Sequence, residues 1–377
     1  MSSINKGWQA IIGSSSIMSL ALLGDALLYA VLPIYASEFG LTLPWVGVML
    51  SANRFVRVFT YGLLARLTNR IGVRSICLIA SITATTSTAL YGFGQGAAII
   101  LFARVLWGLT YAVLLLTTLS YAVEYGKQIG TRIGIGQSIQ RLGPISALLI
   151  GGWLVGVLGP QNTFIVLILP TALSIFIAVN LPTVQIKKTK ARPPSIARPK
   201  PVDIVFFMHG FSVDGVFAIS ITIILAREAS LSSAVLGGSA LLAMRHVSVA
   251  IAAPLFGWIA DRFGARRVFI LAASLMTLGF ILVSTGFIVF GALLLLVFKG
   301  ALTSLGPTII AQSLLQNEEP IGPLARMQAW QDLGAACGPL SAGFLLTILS
   351  AETLHGAVAF ALFASLFFWT FSKPRQV

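Results

Sequence analysis

Apolar runs of about twenty residues recur along this chain, each closed by a turn carrying charge, proline or glycine. Residues 97–103, 105–119 and 268–290 hold only apolar, small or weakly polar side chains, and Arg104 alone parts the first two. A helix needs roughly 20 such residues to cross a hydrocarbon core. Of the 377 residues 57% are hydrophobic and 10% charged. A soluble domain carries roughly a quarter charged residues, so this chain has too few to coat a water-facing surface. The runs lack the alternation of barrel strands. An all-α membrane protein is the class that fits.

Cutting at the punctuated turns predicts about twelve spans. Six lie near 10–36, 44–66, 73–93, 96–122, 131–158 and 162–181, and six near 202–226, 233–260, 267–289, 290–315, 322–349 and 352–372. Between the sets, 182–201 holds Lys187, Lys188, Lys190, Arg192, Arg198 and Lys200 among prolines, the composition of a solvated linker. The predicted organisation is a six-helix bundle over 1–181, a basic linker, and a second six-helix bundle over 202–377. The first run continues through Asp25 to Tyr35 without a small-residue cleavage pattern and reads as a first span rather than a signal peptide.

Other basic residues gather at alternate turns: Arg66, Arg70 and Arg74; Lys127 and Arg132; Arg262, Arg266 and Arg267; Arg326; Lys373 and Arg375; Arg227 is the exception. The positive-inside rule then puts both termini and the linker in the cytoplasm of a bacterial-type inner membrane. The net charge of +14 is thus a topology signal with attraction to anionic lipid headgroups, not a nucleic-acid footprint. Cys77 and Cys337 lie inside apolar runs and imply neither a disulfide framework nor a metal site.

The two halves repeat each other. Asp261-Arg262-Phe263-Gly264-Ala265-Arg266-Arg267 is echoed about 192 positions earlier by Asn69-Arg70-Ile71-Gly72-Val73-Arg74. Asp25 and Asp214, Arg54 and Arg245, Arg104 and Lys299, and Gly143-Pro144 and Gly338-Pro339 keep nearly the same offset. Repeats with a site near the midplane are typical of secondary transporters. On these residues the chain resembles the major facilitator superfamily, and within it the drug and metabolite efflux branches. The turn with Gly257, Ala260, Asp261, Arg262, Gly264, Arg266 and Arg267 is similar to the family's loop motif. Gly62, Arg70, Gly72 and Arg74 form its first-half counterpart, with Asn69 where the family has Asp. Arg104 with Gly108 resembles the fourth-span motif. Gly134, Gly143, Pro144, Gly151 and Gly152 loosely resemble the glycine-rich antiporter motif, with wider spacing. The resemblance implies alternating access, with Asn69, Arg70, Arg74, Arg104, Asp261, Arg262 and Arg266 in gating. The glycines read first as close helix contacts.

Ionisable groups inside a bilayer cost several kcal/mol and mark a pathway, a partner or a wet cavity. The intramembrane set is Asp25, Arg54, Arg57, Arg104, Arg141, Asp214, Arg245, Lys299 and Asp332, with His246 beside it. Counting about 1.5 Å per residue puts Asp25 and Arg54 near the midplane, matched by Asp214 and Arg245, either as ion pairs or as a site. Arg104 lies nearer the outer end of its span, within reach of headgroups. The cations outnumber the carboxylates, and an anion is the simplest completion, since the guanidinium fork matches a carboxylate or phosphate. Arg54, Arg245, Arg141, Lys299, Gln137, Trp107 and Trp330 are therefore the expected substrate-binding residues. Asp25 or Asp214, and with them Asp332, are the expected proton-coupling carboxylates.

No phosphate loop is present and no segment is long enough for a nucleotide domain, so an ion or substrate gradient is the expected energy source. No zinc-protease or nucleophile-elbow motif is present either. The expected activity is export of a small anionic metabolite by a monomer without cofactor or metal, with proton antiport as the coupling. Uptake of an anionic nutrient and a non-transporting receptor on the same fold are the alternatives. One consequence is testable in whole cells: protease added outside should spare 183–201, and cleavage there would reverse the topology.

Overall fold

In the computed structural model, residues 3–32, 35–41, 43–124, 128–183, 199–217, 220, 231–314, 320–346 and 348–372 are described. Residues 184–198 of the basic linker, with Lys127, Arg227, Lys373 and Arg375, lie outside them. The described chain is helical, without strands. We number twelve helices. In the first half these are α1 (Ser3–Val31), α2 (Leu43–Ile71), α3 (Val73–Phe93), α4 (Ala97–Glu124), α5 (Ile129–Leu158) and α6 (Pro160–Val179). The second half has α7 (Pro201–His209 continuing as a π segment, Gly210–Phe217), α8 (Leu231–Phe263), α9 (Ala265–Ser284), α10 (Ile288–Ser313), α11 (Ile321–Leu345) and α12 (Ala351–Phe371). Helix α5 also holds a π segment, Ala147–Gly151, just after Pro144.

Most spans fall within a few residues of expectation. Helix α1 starts at Ser3, ahead of the expected residue 10, and the break between α9 and α10, expected at Phe290 and Gly291, is displaced as well. It lies at Thr285–Phe287, because Gly286 turns the chain at φ 94 while the Ser284 and Thr285 hydroxyls donate to the Ile281 carbonyl. Glycine alone adopts that backbone cheaply. Eight described helices are long and apolar enough to span a membrane by composition. Helices α2, α7, α8 and α11 are not among them, and they carry Arg54, Arg57, His209, Asp214, Arg245, Asp261, Arg326 and Asp332.

Large apolar side chains line the outside: Phe59, Phe93, Leu149, Leu169, Phe176, Phe344, Phe360 and Phe371 are each more than two-thirds exposed. Such a surface is compatible with lipid and not with water.

The chain forms two compact units by contact, 1–127 with 136–194 and 318–325, and 128–135 with 195–317 and 326–377. They differ from a cut at the linker by two short pieces, which are the starts of α5 and α11. In the first unit α2 packs on α4, α3 on α4 and α6, and α1 on α6. The second repeats this, α8 on α10, α9 on α10 and α12, and α7 on α12. The repeat read from motifs is therefore a repeat of packing.

Glycines set the closest approaches. A Cβ on Gly143 would collide with the Ser19 carbonyl of α1, and one on Gly338 with the Phe211 carbonyl of α7. Gly152 has open space around it. We predict that Gly143→Ala lowers stability by about 1–3 kcal/mol through overpacking, whereas Gly152→Ala leaves it within about 0.5 kcal/mol. The check is the unfolding midpoint of the purified variants. Equal midpoints would remove the packing role of Gly143.

Candidate functional site

In the first unit the carboxylate is Asp25 on α1, its side chain 11% exposed, and its partner is the buried Arg104 on α4 rather than Arg54. Arg104 donates through Nη1 to Asp25 Oδ1, through Nε to the Met49 carbonyl at 2.8 Å and through Nη2 to the Tyr29 hydroxyl at 3.2 Å. Tyr29 in turn donates to the Leu50 carbonyl at 3.0 Å. The network ties α1, α2 and α4 together. Arg104 has 0% of its surface exposed, which corrects the expectation that it reaches headgroups: Nε, Nη1 and Nη2 each donate inside the bundle. Arg54 lies half-buried on α2.

One turn along α2 from Asn53, the Arg57 guanidinium lies over the Tyr111 ring, 4.2 Å from its centre. Trp107 packs edge-on against Tyr111 at 6.0 Å. Trp107 and Asn53 are both 2% exposed, and neither the Trp107 Nε1 donor nor the Asn53 Oδ1 acceptor has a hydrogen-bond partner among the described residues. On α5, Arg141 donates to Gln137 at 3.4 Å, and Gln137 and Gln140 are buried.

The second unit gathers its charges more densely. Asp214 Oδ1, on the π segment of α7, accepts from both Lys299 Nζ of α10 and Arg245 Nη1 of α8, the latter at 3.1 Å. The Arg245 side chain keeps 25% of its surface exposed, against 8% for Lys299. The ion pairing expected between Asp214 and Arg245 is thus present, and Lys299 joins it from the position equivalent to Arg104. Two cations on one carboxylate leave one positive charge in excess within this cluster. Trp330 stands edge-on to Phe207 at 6.5 Å, and Phe207 stacks on Phe211 at 5.9 Å. Asp332 lies half-buried two residues along α11.

His209 was not among the residues expected from the sequence. It closes the α-helical part of α7, is 5% exposed, and neither ring nitrogen has a hydrogen-bond partner among the described residues. A lone histidine between Met208 and Gly210 carries no motif. Five residues of α-helix would leave His209 and Asp214 about 140° apart. The i→i+5 winding that starts at Gly210 brings such positions towards one stack.

The repeated turns also match in geometry. Gly72 and Gly264 have φ 95 and 91, and each separates two long helices by a single residue. Arg74 donates to the Val179 carbonyl and Arg266 to the Thr370 carbonyl, so each turn fixes the C-terminal end of the sixth helix of its own half. Arg266 also covers Trp369 at 5.5 Å, and Arg262 covers Trp258 at 5.5 Å; Arg70 is exposed.

Asp261 does more. Its carboxylate accepts from the backbone N–H of Gly130 and Thr131 and from the Thr131 hydroxyl, each at 2.8 Å, in the second unit. It thus satisfies free donors at the start of α5, where a negative charge is favoured. The arrangement requires Gly130 and Gly257, since a Cβ on either would strike the other's backbone. Among the described residues, no such clamp is seen at the equivalent place in the first unit. Asn69 replaces the aspartate and its Oδ1 is buried without a partner among the described residues. Pro323 stands where Thr131 does, 192 positions on, and proline has no N–H to offer.

A multi-pass helical protein made of two repeated six-helix halves, each with a buried carboxylate paired to a cation, is the class these features define. The chain belongs to the Major Facilitator Superfamily, whose sequence model matches residues 15–244 and 202–377. A search of curated proteins by sequence found no match. Among solved structures, the human organic anion transporter MFSD10 (TETRAN) is similar with a TM-score of 0.77 at 14% identity, covering 96% of this chain and 99% of that one. FucP, in the outward conformation, gives 0.77 at 15% identity over 96% and 98%. A second structure of FucP, described as the E. coli fucose:proton symporter, gives 0.75 at 14% identity over the same shares.

We predict that Asp261→Asn raises the reactivity of cysteines introduced on the side of the basic turns about five- to thirtyfold, and that Asn69→Ala leaves it unchanged. An amide would turn its NH2 towards a backbone donor and lose the charge, a loss on the order of 1–2 kcal/mol. Labelling rates with a membrane-impermeant thiol reagent decide it; equal rates for Asp261→Asn and the parent would reduce Asp261 to solvated surface.

Proposed function

We propose that this chain is a secondary active transporter that moves a small organic anion by alternating access, coupled to protons. The single observation carrying this reading is Asp214 shared by Lys299 and Arg245, a partly buried cluster whose own three groups are short of one negative charge. An anionic carboxylate supplies that charge, and Arg245, the more exposed cation, is the group that would meet it with a two-pronged fork. Aromatic surface from Trp330, Phe207 and Phe211 offers an apolar wall to the rest of such a molecule. The likeness in fold to an organic anion transporter and to a proton symporter is in keeping with both halves of the proposal.

The sign of the coupling follows from the same geometry. An anion that draws Arg245 from Asp214 leaves the carboxylate with less positive charge beside it and a greater affinity for a proton. Anion and proton then bind together, by the reciprocity of linkage. This favours their movement in the same direction, with export driven by the anion's own gradient. Exchange of anion for proton, expected from the sequence, is the second reading and requires the two to compete. Flux into liposomes separates them: acidifying the side that holds the anion accelerates its exit under joint movement and slows it under exchange. Indifference to the pH gradient would remove the proton from either scheme.

Substrate class is tested by thermal shift of the purified full chain with acetate, succinate and benzoate against glucose and choline. A ligand of the native state stabilises it by mass action. Stabilisation by glucose or choline alone would defeat the anion reading. With a stabilising carboxylate in hand, Arg245→Ala should weaken its binding by about 2–5 kcal/mol and Arg245→Lys by less, since lysine keeps the charge and loses the fork. Arg104→Ala should act instead on stability, by about 3–5 kcal/mol, because it strands the buried Asp25. Unchanged affinity in Arg245→Ala would make that arginine a structural partner of Asp214.

A further inference from the structure

We propose that His209 is a proton-binding group that works with Asp214, and that the cluster they complete holds a carboxylate most tightly when His209 is protonated. The second part rests on the anion reading above; the first does not.

His209 is buried with both ring nitrogens unmatched among the described residues. A polar group withdrawn from water without a hydrogen bond costs roughly 1–3 kcal/mol, and native proteins hold few of them. His209 presents two, Nδ1 and Nε2, inside a unit whose other buried histidine is satisfied on both sides: His355 meets Ser220 Oγ at 3.2 Å and the Ala351 carbonyl at 2.7 Å. His209 therefore has a structural neighbour that shows what a packing histidine looks like here, and it does not look like it. Phe206 and Phe207 precede it, and on α11 Gln331 and Ala335 pack against the next residue, Gly210.

Its ionisable surroundings are specific. Asp214 on the π segment and Lys299 on α10 are within electrostatic reach, and Arg245 of α8 sits on the same carboxylate oxygen. Of the other helices packed on α7, α11 carries Asp332 and Arg326, the latter bound to Asp203 at the start of α7, and α12 carries Glu352 and His355. Asp214 favours a proton on His209 and Lys299 opposes it. With His209 neutral the cluster has one positive charge in excess, and with His209 protonated it has two. An incoming carboxylate restores the balance, so its binding and protonation of His209 support each other.

The test uses the full chain in phospholipid nanodiscs with 13C-labelled histidine. The sequence has three histidines, His209, His246 and His355, and H209Q assigns the His209 signal. We expect that signal to titrate, with a midpoint about one unit higher in Lys299→Met and about one unit lower in Asp214→Asn. Succinate is the probe anion. It should raise the wild-type midpoint, and its affinity should fall about tenfold as pH rises through that midpoint, since a tenfold change is one unit of midpoint shift. H209Q should lose this fall and keep only the dependence that Asp214 contributes.

A His209 signal that does not titrate, or whose midpoint ignores both charge variants, overturns the proposal. So does an identical pH slope in H209Q. A midpoint that moves with both charge variants while no carboxylate binds at any pH supports His209 as the proton site and defeats the anion reading.

Discussion

A charge inside a bilayer has no water to fall back on, so each buried carboxylate here dictates the side chains around it. Asp25 fixes Arg104, and Arg104 in turn uses the Met49 carbonyl and Tyr29 to bind α1, α2 and α4 into one body. Asp214 fixes Lys299 at the equivalent place and joins α7 to α10. Helix association in lipid lacks the hydrophobic drive available in water and depends on close packing and polar contacts. These two pairs, with the glycine seams at Gly143 and Gly338, are what this chain has in place of that drive.

Duplication gave both halves the same frame, and the differences between them are where function is to be sought. In the first unit Arg104 has its donors met and the pair with Asp25 is neutral. In the second, lysine replaces arginine, a point charge replaces a fork, and Arg245 is admitted to the same carboxylate. The turns diverge as well. Asp261 with Thr131 forms a charged clamp on a helix start, while Asn69 and Pro323 have lost the charge and one of the donors respectively. Among the described residues the clamp on a helix start is seen at Asp261 and not at Asn69.

Much of the architecture was legible in the sequence, because span length, glycine and charge act locally. The runs fixed the helices, and Gly72 and Gly264 marked turns that no other residue takes cheaply. The α9–α10 break escaped because no charge marks it, and Gly286 looked like one more small residue in a long apolar run. The matched depths of Asp25 and Asp214 were readable by counting, but the partner of Asp25 was not. Counting gives height along the membrane and says nothing of which helix lies beside which, so Arg54 at the right height lost to Arg104 on the adjoining face. His209 was invisible for a different reason. Its relation to Asp214 depends on a π segment, and a five-residue spacing read with α-helical geometry points the two side chains apart.

That π segment bears on the proposed mechanism more than its length implies. Winding of this kind is rarely the cheapest for a helix and recurs at functional sites. Here it spans Gly210–Phe217, with Gly210 and Gly215 pressed against α11 at Gln331 and Gly338. The same eight residues therefore carry Asp214 and supply the packing surface of α7. On the proposed reading, a change in the charge on Asp214 alters the pull of Lys299 and Arg245 on a segment wound more widely than an α-helix. Relaxation of that winding would shift α7 against α11 and separate His209 from Asp214 at once. Proton, anion and helix packing would then be coupled through one short stretch of backbone, with no need for a long chain of intermediaries.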